Sequence, residues 1–490
     1  MRKTLNALDE RLRRALTQSV PLAACVAAAL ATLVAFAALL ATRTLGELSG
    51  ADGLTRAATV AMLCAPLALM LLFAVRTVHA ARESGLTLLA SCAVCALAML
   101  MRLSFIDHVS SDYEIYLSDW LAKFGALSFS GSMRAGVGEY NVLYQYILFL
   151  VSRLSVPSLY AVKAISLLGD ALLAGALARL CAEKPADEAA ACDSVCPSAP
   201  GAQKDASGAR SNASGLTALC AALLLPSIAL NAGMFAQCDS LYAACALWGL
   251  ALALDGKGGR SAAMFALSLA FKLQAAFLLP IVAVLYAQRR LRLGDALVFI
   301  GTLLLTALPA MLGGKPLSAI IGIYTAQTGL YTGLTYNAPT LFGLMNTAGL
   351  DVYAYGNFGM ALALGACAAL VAYGVRDAGH AAAPDTASAG ALVPAAACKA
   401  PVDVVRLALV MTLLVVFLLP RMHERYFYLP VALSLAASVR DRRLVPCAAL
   451  LELAMLATLW DMGLPLFACS AMVLAAIAWA LLCGLRRKNA

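Results

Sequence analysis

"PLAACVAAALATLVAFAALLA" occupies residues 21–41. It carries no charge and has the ~20 residues that an α-helix needs to cross a hydrocarbon core. It is longer than the roughly 7–15-residue core of a signal peptide, and no small-residue cleavage site with a soluble domain behind it follows. It reads as a retained membrane helix. Working outward, apolar runs recur near 57–75, 85–105, 140–154, 160–182, 215–231, 241–254, 262–286 and 296–312. Others lie near 358–375, 406–420, 427–438, 444–460 and 464–484. That makes roughly 13 or 14 spans, some short or broken. The composition agrees: 62% of residues are hydrophobic and 13% charged, where soluble domains average about a quarter charged. The expected fold is an all-α polytopic membrane protein whose external loops carry amphipathic helices.

Charge orients the chain. Arg2, Lys3, Arg11, Arg13 and Arg14 at one end and Arg486, Arg487 and Lys488 at the other predict cytoplasmic termini in a cell membrane. Arg440 to Arg443 and Arg289, Arg290 and Arg292 are expected on the same side. Residues 106–138, 313–357 and 421–426 then fall outside. Lys272 and Gln274 lie in the middle of the run 262–286. Two half-spans meeting near Lys272 fit the charges better than one crossing, because irregular backbone is tolerated where it lines a polar cavity. Asp170 likewise interrupts 160–182, and the side on which 235–240 lies depends on whether that helix breaks. Residues 183–213 and 376–405, rich in Ala, Pro, Ser and Gly, read as flexible loops. Most of the fifteen cysteines sit in apolar helices, where they act as small hydrophobes. Cys192 and Cys196 could pair or share a metal, but no His or second Cys pair accompanies them. The net charge of +9 is mostly loop Arg and Lys and names no nucleic-acid partner. No phosphate loop or dinucleotide-binding glycine pattern is present.

Four carboxylates, Asp107, Asp112, Glu114 and Asp119, crowd just past a membrane helix, with Tyr113, Tyr116, Trp120 and Tyr140 near them. An interfacial amphipathic helix explains most of these. A general base at the membrane surface explains the remainder. Gln237 and Asp239 stand at a helix start, where a carboxylate can simply cap. Lys272 and Gln274 lie inside hydrocarbon, where a lysine costs about 2.5–3.5 kcal/mol and is a functional candidate by default. "RMHERYFYLP" (421–430) packs Arg421, His423, Glu424 and Arg425 against an apolar run. A guanidinium matches phosphate oxygens. Asn337 opens a polar, aromatic segment before another apolar run.

These segments resemble the glycosyltransferase C superfamily, and most closely its bacterial members related to GPI mannosyltransferases. The motifs that carry the likeness are "SDYEIYLSDW" (111–120), "EYNVLYQY" (139–146), "KAISLLGD" (163–170), "AQCDSLYAA" (236–244), "FKLQAAFLLP" (271–280), "YNAPTLFG" (336–343) and "MHERYFY" (422–428). They occur in order over about residues 85–440. Ala236 departs from a frequent Gly of the pattern, and Val142 and Leu143 from a common Pro.

The resemblance implies transfer of mannose or another hexose, with inversion, from a polyprenyl-phosphate donor to a glycan, lipid or protein hydroxyl on the external face. It implies Asp112 as base, with Glu114 and Asp107 as runners-up. Arg425 and Lys272 would stabilise the leaving phosphate beside His423, Glu424, Gln274, Gln237, Asp239, Tyr140 and Asn337. No dedicated metal site is visible, though Asp112 with Glu114 could hold Mg or Mn. The implied organisation is a transmembrane hairpin (1–84), a catalytic module with its acidic loop (85–312), a segment with the MHERY motif (313–440) and a second hairpin (441–490). A transporter or flippase of a lipid-linked sugar, or a polysaccharide polymerase or ligase, is the competing expectation. No internal repeat favours the transporter.

Overall fold

A computed structural model describes residues 17–182, 207–329, 332–345, 347, 349–382 and 402–485. The basic chain ends and Cys192 and Cys196 lie outside these residues. Nineteen α-helices are present among the described residues, with one pairing of two-residue strands. The expected all-helical class holds.

The helices are α1 (Leu22–Thr42), α2 (Gly53–Ala80), α3 (Gly85–Leu103), α4 (Ser118–Ala126), α5 (Phe129–Ala135), α6 (Val142–Val151) and α7 (Ser158–Cys181). Next come α8 (Ser207–Leu224), α9 (Pro226–Gly233), α10 (Asp239–Leu254), α11 (Gly258–Phe271), α12 (Ile281–Ala287), α13 (Asp295–Leu312) and α14 (Leu317–Gly329). Then follow α15 (Val352–Ala382), α16 (Val404–Leu418), α17 (Tyr428–Arg440), α18 (Val445–Leu459) and α19 (Leu466–Leu482), with strands β1 (Thr335–Tyr336) and β2 (Met422–His423).

Six helices, α1, α2, α3, α7, α13 and α15, are long and apolar enough to cross a membrane, and α8 with α9 form a seventh candidate bent by 51°. The bend has a local cause: Pro226 opens α9 and has no N–H to continue α8. The larger sequence expectation counted apolar runs that fold as shorter helices. The run 140–154 gives the 10-residue α6, 241–254 the 16-residue α10, and 406–420 the 15-residue α16. The run 262–286 breaks where expected: Lys272 is extended (φ −155°, ψ 140°), a 3₁₀ turn spans Leu273–Phe277, and α12 resumes at Ile281. By contrast, α7 runs unbroken through Asp170. The loops expected over 183–213 and 376–405 are shorter than drawn, since α8 begins at Ser207 and α15 reaches Ala382. Buried Asp377 ties the latter region by accepting the Val402 N–H at 2.6 Å.

The chain forms two compact units, the first ending at Ala244 but lacking 133–145, the second holding Met133–Gln145 and the described residues from Cys245 onward. In the first, α2 packs on α1, α3 and α7, and α8 on α7. Asp52 and Ser84 start α2 and α3 by accepting the Thr55 and Thr87 N–H groups. In the second, α15 to α19 pack in sequence and α11 packs on α13.

The core of the first unit holds a charge pair. Arg102 and Asp170 are fully buried, Nε to Oδ2 at 2.7 Å. Arg102 Nη1 also donates to the Ala98 and Leu223 carbonyls. Asp170 does not break α7 because this guanidinium matches its charge. Gly233 lets α9 approach closely, as a Cβ there would meet the Arg102 backbone at 3.0 Å. Removing one partner of a buried pair strands the other charge, at a cost of about 3–5 kcal/mol, whereas replacing both with apolar groups is often neutral. Asp170→Asn is therefore expected to lower the thermal midpoint in detergent sharply. Arg102→Met with Asp170→Leu should recover most of it. A single variant as stable as wild type would mean the pair does not hold this core together.

Candidate functional site

In the first unit the site is built from α7 outward. Lys163, in the second turn of α7, is fully buried. Its ammonium donates to the carbonyls of Phe105, Ile106 and His108 at 2.6, 2.9 and 2.6 Å. All three donors of the ammonium meet backbone just past the end of α3. One turn earlier on α7, the Tyr160 hydroxyl donates to Asp107 and accepts from the Glu47 N–H. Asp107 also accepts from the Gly46 N–H at 3.0 Å. Asp107, a runner-up base from sequence, is thus a tie between loops. Burial first, and then the Lys163 charge, hold the neighbouring His108 below its ordinary range.

From this seat the chain reaches Asp112. Ser110 accepts the Tyr113 N–H and donates to the Phe235 carbonyl. Tyr113–Leu117 then form a π-turn, an irregularity frequent at functional sites. Asp112 is half-buried, and its Oδ2 accepts from Gln237 Nε2 at 2.6 Å. The start of the acidic loop and residues 235–237 are therefore joined in the first unit. Glu114 points from the same turn into exposed surroundings. Asp119 is exposed and paired at 2.6 Å with Lys123 one turn on.

Gln237 is held in turn. Its N–H bonds the Asn231 carbonyl, and it follows Ala236, which is buried in the left-handed region at φ 56°. Glycine adopts that conformation without the Cβ penalty, so Ala236 stands where glycine would be less strained. Asp239, fully buried at the start of α10, accepts from Asn231 Nδ2 at 3.3 Å. Ser240 donates to the Ser166 carbonyl, and a Cβ on Gly169 would come within 3.0 Å of the Ser240 Cβ. Within "KAISLLGD", Lys163 thus props the acidic loop, the Ser166 carbonyl receives the start of α10, and Asp170 pairs with Arg102 in the core.

The second unit carries a separate cluster. The break in α11 exposes Lys272 to the Tyr140 ring, 5.6 Å from its centroid. Gln274 is buried, and its Oε1 has no hydrogen-bond partner among the described residues. Asn141 donates to the Leu269 carbonyl and fixes the segment carrying Tyr140. Elsewhere in the unit β1 and β2 pair in parallel, Tyr336 opposite His423. The His423 ring stacks on Tyr336 at 5.0 Å and meets Tyr426 edge-on at 5.4 Å. Glu424 and Arg425 start the 3₁₀ turn Glu424–Phe427 and are half-buried. Asn337 sits at φ 50° beside His423, and its side-chain amide donates to the Thr458 carbonyl at 2.8 Å. Its observed work is to pin this ladder to the end of α18.

No group of three or more His, Cys, Asp or Glu that could hold a metal occurs among the described residues. No protein-family model and no curated protein matches the chain.

Sequence reasoning passed over Lys163 and Tyr160. The signal was there for Lys163: a lysine inside the apolar run 160–182 meets the criterion that singled out Lys272. Lys163→Met is expected to free residues 105–117 while leaving the helical core intact. Amide hydrogen exchange should rise across that segment and change little in α2 and α8. Unaltered exchange at 105–117 would remove Lys163 as the support of the loop.

Proposed function

We propose that the protein is a membrane glycosyltransferase. It transfers a hexose from a polyprenyl-phosphate donor to an acceptor hydroxyl at the face that bears Asp112. The observation that carries the reading is Asp112 itself: a half-buried carboxylate held through one oxygen by Gln237, at the end of a loop seated on Lys163. The ordered resemblance to the glycosyltransferase C superfamily points to the same residue.

The reaction needs two charge functions. A base accepts the acceptor's proton as its oxygen attacks the anomeric carbon. Asp112 takes that proton. The bond between the anomeric carbon and the phosphate oxygen breaks, its electron pair leaves with the lipid phosphate, and the configuration inverts. Fixed cations in a dry site stabilise the charge that grows on that phosphate. Lys272 and Arg425 have the chemistry for this second function, Lys272 as a buried point charge at a helix break, Arg425 as a fork. His423 is held by its two tyrosines and contributes shape.

A broken span with a buried lysine is also used by transporters of anionic substrates. A transporter needs no base, so one substitution separates the readings. Asp112→Asn should lower transfer by about 10²–10⁴-fold with donor binding kept, and Asp119→Asn should leave transfer unchanged. Arg425→Lys keeps charge and loses the fork, so turnover should fall more than donor affinity. A double-mutant cycle joining Asp112→Asn and Arg425→Lys should be strongly non-additive if both act on one step. Near-normal transfer by Asp112→Asn would overturn the assignment of the base.

A further inference from the structure

A groove of about 750 Å³ lies between α1 and α2 in the first unit, lined by Leu33, Val34, Ala37, Ala57, Val60 and Ala61 among others, with Arg56 at one end. It follows α1 from Leu33 to Ala41, a rise of about 12 Å. Arg56 is its one charged lining residue. One of its N–H groups donates to the Leu48 carbonyl at 3.2 Å, which leaves four of a guanidinium's five donors for another acceptor. Arg43, at the C-cap of α1, adds a second cation at this end. Asp52 is nearby, but its carboxylate is committed to the N–H and hydroxyl of Thr55. The other acid there, Glu47, lies on the short turn Gly46–Leu48.

The face on which the charged end opens is fixed. The turn that joins α1 to α2 is tied to the acidic loop, Gly46 to Asp107 and Glu47 to Tyr160. Arg56 therefore lies on the side that carries Asp112. An apolar slot ending in an unsaturated guanidinium complements an apolar chain that ends in phosphate. The alanine-lined walls leave room for a branched chain beside the backbone of both helices.

We propose that this groove holds the first isoprene units of a polyprenyl phosphate, with its phosphate on Arg56. The identity of the lipid rests on the transferase reading; the complementarity of the groove to a phosphate-terminated chain does not. The groove gives the donor, or the spent carrier, a parking position on the correct face.

The test is binding, measured on the full-length protein in phosphatidylcholine nanodiscs by native mass spectrometry, with polyprenyl phosphate as the probe. Arg56→Gln and the groove-filling Ala61→Phe should each weaken binding by about tenfold or more. Arg76→Gln, exposed toward the other end of α2, should leave it unchanged. Polyprenol, which lacks the phosphate, should bind wild type weakly and ignore Arg56. Unchanged binding in both groove variants would overturn the proposal. So would displacement by an equal amount of phosphatidylglycerol, since any anionic lipid would then fill the groove. A chain that binds polyprenyl phosphate here yet transfers no sugar keeps the groove and sinks the transferase. A chain that transfers sugar while both groove variants bind normally does the reverse.

Discussion

A buried ammonium with no side-chain acid on it would be costly in a membrane. Lys163 is tolerated because three backbone carbonyls replace the water it loses. Those carbonyls belong to the point where α3 ends and the acidic loop begins. Buried backbone carbonyls in a loop need donors as much as a buried ammonium needs acceptors, so lysine and loop solve each other's problem. Everything distal to that point, from Ser110 and the π-turn to Asp112 and its bond with Gln237, depends on where this seat places the chain.

The same economy runs through the first unit. Arg102 and Asp170 neutralise each other in the core. Gly169 and Gly233 let α10 and α9 come close enough for backbone and side chain to interlock. Buried polar groups that find partners favour one arrangement, because a slip leaves them unmet. The base proposed at Asp112 would need such a mounting to meet a proton at one position. The second unit achieves rigidity differently. There a two-residue ladder, flanked by left-handed Asn337 and Arg421, presents His423 between two tyrosines.

Much of this was legible in the sequence. Apolar runs gave the membrane class, and the lysine in the run 262–286 marked a break that the backbone makes at that residue. Length was harder, because a run of hydrophobic letters does not say whether the helix is long enough to span; α6 and α16 stop short of it. Asp170 looked like an interruption because its partner, Arg102, lies on another helix and far away in sequence. Asp107 and Asp112 are interchangeable as letters, and only their partners separate a carboxylate tied between loops from one that meets a side-chain amide. Ala236 shows a feature that letters alone do not carry: only the backbone reveals that it lies in the left-handed region.

The account stands on Asp112 as the base of a sugar transfer from a lipid phosphate, and a donor assay tests that most directly. Purified protein is given labelled polyprenyl-phosphate hexoses and a membrane extract as the source of acceptors, beside the Asp112→Asn variant. The account predicts label moved from lipid to acceptor, with inversion, by the wild type alone. Equal transfer by both proteins would contradict it, as would movement of intact labelled lipid across a vesicle bilayer with no transfer by either.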